Sequence, residues 1–193
     1  MGWGGWWFLG RKSLKDTPLQ PVVPNNKENE MGKMNISAKG IELIKKYEGY
    51  SAKAYLDSVG VWTIGYGTIK MKGVPVKKGD KCTKAQADEW LMDEVKESIV
   101  PHINRLVKVP LTQDMFDVLC SFVYNLGWPN LERSTLLKVL NSGDYAGAGD
   151  QLLRWNKGNV NGVMVAIDGL TNRRKNEREI FVASIGDLNA NIG

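Results

Sequence analysis

Apolar and polar positions change their spacing along this chain. From Ile41 to Tyr47, apolar residues recur at three-residue steps, which is the spacing of one helix face. Ser37 stands where it can cap this helix, which should end near Glu48. Residues 50–80 instead hold short runs rich in Val, Thr, Tyr and Trp, separated by Gly and Pro. That pattern predicts a small antiparallel sheet.

A capping-box pattern marks the start of the next helix. Thr83 is followed three residues later by Gln86, so each side chain can bond the other residue's backbone N–H. Pro101 should end or kink this helix, because proline lacks the N–H that a helix interior needs. We expect a linking helix over about 83–100.

Helical patterns continue through the rest of the domain. Apolar residues recur at three- and four-residue steps from Met115 to Leu126. Further helices are expected to start at Ser134 or Thr135, at Asp144 and near Arg173. The stretch 156–168, before the last helix, is rich in Gly and Asn, and we expect it to be a loop.

These elements predict an α+β fold for a domain of residues 35–185. A small lobe of about 35–82 would combine one helix with the antiparallel sheet. The linking helix would join it to a larger, all-helical lobe of about 101–185. Two lobes joined by one helix leave a cleft between them, which is a common place for an elongated ligand.

Both ends of the chain differ from this domain. Residues 1–34 combine a Gly/Trp start with prolines and a run of Asn, Lys and Glu, which predicts a flexible tail. Residues 186–193 are expected to form a second, short tail. The seven tryptophans include Trp3, Trp6 and Trp7 in the first seven residues. These rings could contact a membrane interface or another protein, or have no partner.

The cysteine and histidine content excludes several classes of site. The chain has one histidine, His102, and two widely separated cysteines, Cys82 and Cys120. This argues against metal sites and against Ser/His or Cys/His nucleophilic catalysis, so we expect no metal and no cofactor. Cys120 lies in an apolar helical pattern and is predicted to be a buried thiol. The sequence leaves a Cys82–Cys120 disulfide open.

The charge balance and the apolar runs concern the partners of the protein and its insertion into membranes. There are 26 Lys and Arg against 21 Asp and Glu, a formal net charge of +5. This favours anionic partners, such as nucleic acid, acidic membranes or acidic cell-wall polymers, without choosing among them. No apolar run approaches the ~20 residues that cross a bilayer, and cations follow the first apolar run instead of preceding it. We therefore expect no signal peptide and no transmembrane helix.

Two carboxyls and a hydroxyl are the strongest candidate chemistry. Eight residues separate Glu48 from Asp57, and five separate Asp57 from Thr63. Hydrolysis of a glycosidic bond needs an acid for the departing oxygen and a carboxylate for water or for the cationic centre. By spacing alone, the three residues are more often a solvated helix end, a turn former and a strand former.

Longer motifs around these residues resemble one family. They read YEG at 47–49, AYLDSVGVWTIGYGT at 54–68, FDVLCSFVYNLG at 116–127, STLL at 134–137 and GLTNRR at 169–174. In this order they resemble phage-type lysozymes, glycoside hydrolase family 24, whose many endolysins share the signature. The resemblance covers roughly residues 36–184.

The resemblance implies a lysozyme-like fold and a muramidase activity. The reaction would be hydrolysis, with inversion, of the β-1,4 bond between N-acetylmuramic acid and N-acetylglucosamine. Carried over by motif, Glu48 is the general acid, Asp57 the base or water-orienting carboxylate, and Thr63 the hydroxyl that holds water.

Substrate contacts are expected at four further positions. The resemblance places Ile69 on the lip of the cleft, and Tyr124 and Asn125 where the helical lobe faces the glycan. Core packing is the alternative for Tyr124. Thr135 is either a substrate contact or a helix cap. Thr68 departs from the family, since many relatives carry His there, and we expect altered contacts without loss of activity.

A cluster of basic residues occurs near the end of the domain. The basic residues are Arg173, Arg174, Lys175 and Arg178, and the acidic residues Glu177 and Glu179 flank Arg178. The cluster is either a solvated helix face or a patch that attracts the anionic wall.

The resemblance favours a monomeric endolysin that lyses the host cell of a phage. It would accumulate in the host cytoplasm and reach peptidoglycan after a separate protein permeabilises the membrane, with no nucleic-acid partner. The alternatives are a lytic transglycosylase and a virion-associated wall-binding or structural module with reduced activity. Product analysis separates the first alternative, because a transglycosylase leaves anhydro sugars.

Overall fold

The structure is a computed structural model that describes residues 33–57, 60–160 and 162–190. The predicted N-terminal tail, with Trp3, Trp6 and Trp7, lies almost entirely outside these ranges.

The first helix, α1, spans Ala38–Glu48 and is capped as predicted. The Ser37 hydroxyl accepts a hydrogen bond from the Gly40 N–H. At the other end, Gly49 adopts a φ of +68° and its N–H bonds the Lys45 carbonyl. Glycine adopts this left-handed conformation without a Cβ penalty, so the chain can turn directly after Glu48.

A small antiparallel sheet follows, in agreement with the sequence. Strands β1 (Ser51–Leu56) and β2 (Trp62–Gly65) pair with Tyr55 opposite Thr63, after an irregularity in register nearer the start of β1. A second short hairpin consists of β3 (Lys70–Met71) and β4 (Val74–Pro75).

The linking segment is helical but not uniform. Helix α2 (Lys84–Glu94) starts with the predicted capping box, a π-helical turn covers Val95–Ile99, and α3 spans Val100–Leu106. Pro101 lies in the first turn of α3, directly after the π-helical turn, an irregular part of the helical path where a proline is accommodated. The helical path therefore continues past the proline.

The remaining helices include one that is buried along most of its length. They are α4 (Gln113–Leu126), α5 (Trp128–Arg133), α6 (Thr135–Asn141), α7 (Tyr145–Leu152), α8 (Asp168–Ala183) and α9 (Ile185–Ala190). In α4 every residue from Met115 to Asn125 is buried, because it contacts α1 on one side and α8 on another. The α+β architecture is thus confirmed.

The loop predicted over 156–168 is wrong. A hairpin occupies most of this stretch: β5 (Lys157–Val160) pairs with β6 (Val163–Ala166) in an antiparallel register. The strand sequence Val-Met-Val-Ala has high β propensity, and the Asn-Gly dipeptide before it is a strong hairpin signal. The larger lobe is therefore not all-helical.

A buried aspartate fixes the start of α1 against α4. Asp117 accepts hydrogen bonds from the Ser37 backbone N–H, at 2.9 Å, and from the Ser37 hydroxyl. The contact is close: a Cβ added to Gly40 would lie 2.6 Å from Asp117 Cγ. With its N-terminal end held here, α1 carries Glu48 at its other end.

Both cysteines are free and buried, so Cys82 and Cys120 form no disulfide. Burial raises the pKa of the Cys120 thiol well above its usual value, and Asp117 adds to the effect. The prediction of a buried thiol at Cys120 is confirmed.

Candidate active site

Glu48, the last residue of α1, is buried and paired. Its side chain is 1% exposed, and its Oε1 accepts a hydrogen bond from Arg173 Nη1 at 3.0 Å. Arg173 belongs to α8 and is itself fully buried. The alternative of a solvated glutamate at a helix end is therefore wrong.

Asp57 and Thr63 both bond the same residue, Val61, which lies between them in the chain. The Val61 N–H donates to Asp57 Oδ1 at 2.7 Å, and the Asp57 N–H donates back to the Val61 carbonyl at 2.9 Å. The same carbonyl accepts the Thr63 hydroxyl at 3.1 Å. Both side chains are buried, so the β1–β2 hairpin holds a carboxylate and a hydroxyl in a fixed relation.

Arg173 connects Glu48 to a second buried carboxylate. Its Nε donates to Glu177 Oε1 at 3.0 Å, and its Nη2 donates to the carbonyl and hydroxyl of Ser121 at 2.9 and 3.0 Å. The Ser121 hydroxyl in turn donates to Glu177 Oε1 at 2.7 Å. All the side chains in this network are buried, and its bonds are charge-assisted, the stronger class of protein hydrogen bond.

Arg174 is the second arginine of α8 that bonds Glu177. Its Nη2 donates to Glu177 Oε1 at 3.0 Å and to Asn125 Oδ1 at 3.3 Å, and the guanidinium lies over the Phe122 ring. Burial lowers the pKa of Arg174 to about 10, although Glu177 opposes the shift. The group therefore stays charged at neutral pH.

Both interpretations of the basic cluster on α8 are wrong for its first two residues. Arg173 and Arg174 point into the protein, while Arg178 pairs with Asp150 at 2.6 Å near the surface. The buried positions of α8 are Leu170, Arg173, Arg174, Glu177 and Phe181. This is an ordinary three- and four-residue helical stripe. Glu177 lies four residues after Arg173 and three after Arg174 on this stripe, but the same spacing is that of an ordinary exposed ion pair on a helix.

The predicted substrate contacts fall into two groups. Ile69 is half-buried and Thr135 is exposed. Tyr124 and Asn125 are each 1% exposed, and the Tyr124 hydroxyl donates to the Tyr66 carbonyl at 2.9 Å. The cap of α6 is Ser134, so the alternative role of Thr135 as a cap is wrong.

Several exposed lysines lie on the small lobe and at the start of α2. Between α1 and the first turn of α2 they are Lys53, Lys70, Lys72, Lys77, Lys78, Lys81 and Lys84. Lys53 and Lys81 are direct partners across an antiparallel bridge, an arrangement in which like charges repel. This surface has a positive field suited to an anionic polymer.

The described residues contain no group of three or more His, Cys, Asp or Glu side chains that could hold a metal ion. Over the same part of the chain, none of the helices is both long and apolar enough to span a membrane.

Comparisons with known proteins agree with one another. The model of the phage lysozyme family matches residues 45–177. An endolysin of Acyrthosiphon pisum secondary endosymbiont phage 1 is 42% identical over 148 residues, covering 77% of this chain and 98% of that protein.

Solved structures show the same similarity. An endolysin from Escherichia coli O157:H7 phage FAHEc1 superposes with a TM-score of 0.75 at 42% identity, covering 80% of this chain and 97% of the other. A mutant of P22 lysozyme superposes with a TM-score of 0.67 at 37% identity, covering 77% and 99%.

Proposed function

We propose that this chain, which belongs to the phage lysozyme family, hydrolyses the β-1,4 bond between N-acetylmuramic acid and N-acetylglucosamine with inversion. Its family makes it a peptidoglycan-degrading glycoside hydrolase of the endolysin type. The observation that carries the finer proposal is the burial of Glu48 at the end of α1, next in sequence to a hairpin that holds Asp57 and Thr63.

In this proposal Glu48 is the general acid. A glycosidic oxygen leaves as an alcohol only when a proton reaches it as the bond breaks. Glu48 is withdrawn from water and bonds Arg173, so the carboxyl that would supply this proton is held in one place.

Asp57 and Thr63 are proposed to hold and activate the attacking water. Inversion requires water on the face of the sugar opposite the leaving group, with the two carboxyls about 6.5–9.5 Å apart. Asp57 would accept the water proton, and the Thr63 hydroxyl would orient the water without adding charge. Their shared anchor at Val61 limits independent movement of the two groups, which is what a positioned water requires.

Sugar contacts are proposed at Ile69 and Thr135, whose side chains are not fully buried. Contacts by Tyr124 and Asn125 require that sugar binding opens the packing around them. The lysines of the small lobe are proposed to attract the anionic wall over a distance set by ionic strength.

The site of action is proposed to be the cell wall, reached from the host cytoplasm through a separate membrane-permeabilising protein. The protein would act as a monomer. The segment with Trp3, Trp6 and Trp7 would contact a membrane interface or another protein and take no part in the chemistry.

The decisive experiment compares the wild type with Glu48→Gln on purified peptidoglycan in ¹⁸O-labelled water. We expect the wild type to release new reducing ends that carry one ¹⁸O, and Glu48→Gln to lose at least a hundredfold in rate. Glu42→Gln is the matched control, because Glu42 lies on the same helix with a side chain that is 71% exposed.

Two results would overturn the assignment. Anhydro-muramyl ends in place of labelled reducing ends would make the protein a lytic transglycosylase. Unchanged release of fragments by Glu48→Gln would remove Glu48 from the chemistry.

A further inference from the structure

One guanidinium on α8 is shared between two buried carboxylates. Arg173 Nη1 bonds Glu48 Oε1 and Arg173 Nε bonds Glu177 Oε1, each at 3.0 Å. The side chains of Arg173 and Glu177 are fully buried and that of Glu48 is 1% exposed. Solvent therefore screens the three charges poorly, and a change of charge at one carboxylate affects the other.

We propose that Glu177 is a positioning residue for Glu48: it holds one edge of the Arg173 guanidinium and offsets part of the positive charge that Arg173 presents to Glu48. This inference rests on the proposed role of Glu48 as the acid. Glu177 itself is expected to touch neither sugar nor water in the reaction.

The hydrogen bonds converge on one oxygen of Glu177. Its Oε1 accepts from Arg173 Nε, from Arg174 Nη2 and from the Ser121 hydroxyl. Because Ser121 also accepts from Arg173 Nη2, the guanidinium is fixed on two of its edges. Its remaining nitrogen, Nη1, is the one that meets Glu48.

The charges of the cluster balance. Arg173, Arg174 and Glu177 come from α8 and Glu48 from α1, which gives two positive and two negative groups. A further titratable neighbour is Tyr47, whose ring lies under Arg173. Burial raises the pKa of Tyr47, and the negative charge of Glu177 adds to this, so Tyr47 stays neutral. From α4 the cluster receives the uncharged groups Ser121 and Asn125.

Replacing Glu177 or Arg174 with an uncharged residue changes the electrostatic potential at Glu48. The sign of the change follows from the charge that is removed. Glu177→Gln keeps the side-chain shape and leaves a net charge of +1, which favours the carboxylate form of Glu48. Arg174→Met leaves a net charge of −1 and favours the protonated form. The double substitution restores a neutral cluster. A nearby buried charge moves a carboxyl titration by about one pH unit or more.

The test follows the titration of Glu48 directly, in full-length protein labelled with ¹³C at the glutamate carboxyl groups. The resonance of Glu48 is assigned from its absence in Glu48→Gln. We expect its midpoint to move about one pH unit lower in Glu177→Gln, to move higher in Arg174→Met, and to return close to the wild-type value in the double variant. Glu179→Gln, an exposed site on the same helix, should leave it unchanged.

Activity gives a second readout. In Glu177→Gln the alkaline limb of the kcat profile should move in the same direction as the Glu48 midpoint, with KM unchanged. Glu177→Asp, which keeps the charge, should restore most of the rate. A variant that had only lost stability would melt earlier without moving the limb.

The inference is overturned if the Glu48 midpoint stays in place in Glu177→Gln, or moves in the same direction in Arg174→Met as in Glu177→Gln. Where Glu177→Gln does not fold, Arg174→Met and the double variant provide the comparison. Because the titration needs no substrate, its failure is distinct from failure of the proposed function. A shifted midpoint in a protein whose Glu48→Gln variant still cleaves peptidoglycan would refute the acid role alone.

Discussion

Replacing Arg173 with methionine should destabilise the protein in a pH-dependent way. The substitution keeps much of the side-chain volume but removes the partner of two buried carboxylates, Glu48 and Glu177. Arg174 still pairs with Glu177, so the larger effect falls on Glu48. Loss of one member of a buried ion pair costs about 3–5 kcal/mol, because a buried charge is left uncompensated.

The sign of the pH dependence follows from the protonation state of Glu48. In Arg173→Met the folded protein disfavours the Glu48 carboxylate, so the group binds its proton more tightly when folded than when unfolded. The penalty is then full at neutral pH and declines as the pH falls towards the range where glutamate protonates. At pH 5 we expect Arg173→Met to lie closer to the wild type than at pH 7.5.

Urea denaturation followed by circular dichroism at pH 5 and pH 7.5 measures the effect. Arg178→Met is the matched control, because Arg178 lies on the same helix with a side chain that is 37% exposed and paired with Asp150. An exposed pair is worth under about 1 kcal/mol. A loss below about 1 kcal/mol in Arg173→Met, or a loss that is equal at both pH values, would refute the reasoning.

Two further predictions concern packing and charge. Gly40→Ala should lower the free energy of unfolding, measured by chemical denaturation, by about 1–3 kcal/mol, because the new Cβ would lie 2.6 Å from Asp117 Cγ. The control Gly186→Ala, in a helix with open space around it, should be neutral or stabilising. Equal effects of the two substitutions would contradict the prediction. The pair Lys53→Glu and Lys81→Glu should lower kcat/KM on intact wall at low salt and lose that difference at high salt. A difference that is independent of salt would assign these lysines a direct contact instead.

Features that depend on a few neighbouring residues could be predicted from the sequence. Ser37, Thr83 and Asp144 cap their helices as predicted, and Ser134 does so in place of its alternative Thr135, because a short polar side chain there satisfies N–H groups that have no partner within the helix. The β1–β2 hairpin could also be predicted, because only a few residues separate its two strands in the chain. The hairpin of β5 and β6 carried a local signal too, because an Asn-Gly dipeptide precedes β6 in the sequence, but the Gly and Asn content of the surrounding stretch favoured a loop.

The orientation of α8 was beyond such local rules. Charged residues are almost never fully buried unless they are paired, so Arg173 and Arg174 in a helix rich in charges were expected at the surface. The partner that brings Arg173 inside is 125 residues away in the chain. Burial here is decided by long-range pairing, and one sequence does not display which distant charges meet.

Because Arg173 bonds Glu48, the candidate site includes residues of α8 and α4 as well as residues of the small lobe. Glu48, Asp57 and Thr63 lie within sixteen consecutive residues of the small lobe, and a motif confined to that segment would suggest that the small lobe carries the chemistry alone. Yet Glu48 is held by an arginine of α8, and that arginine is held by Glu177 and by Ser121 of α4. A movement of the small lobe relative to α8 would therefore alter the environment of the proposed acid at the same time as it alters access to the sugar.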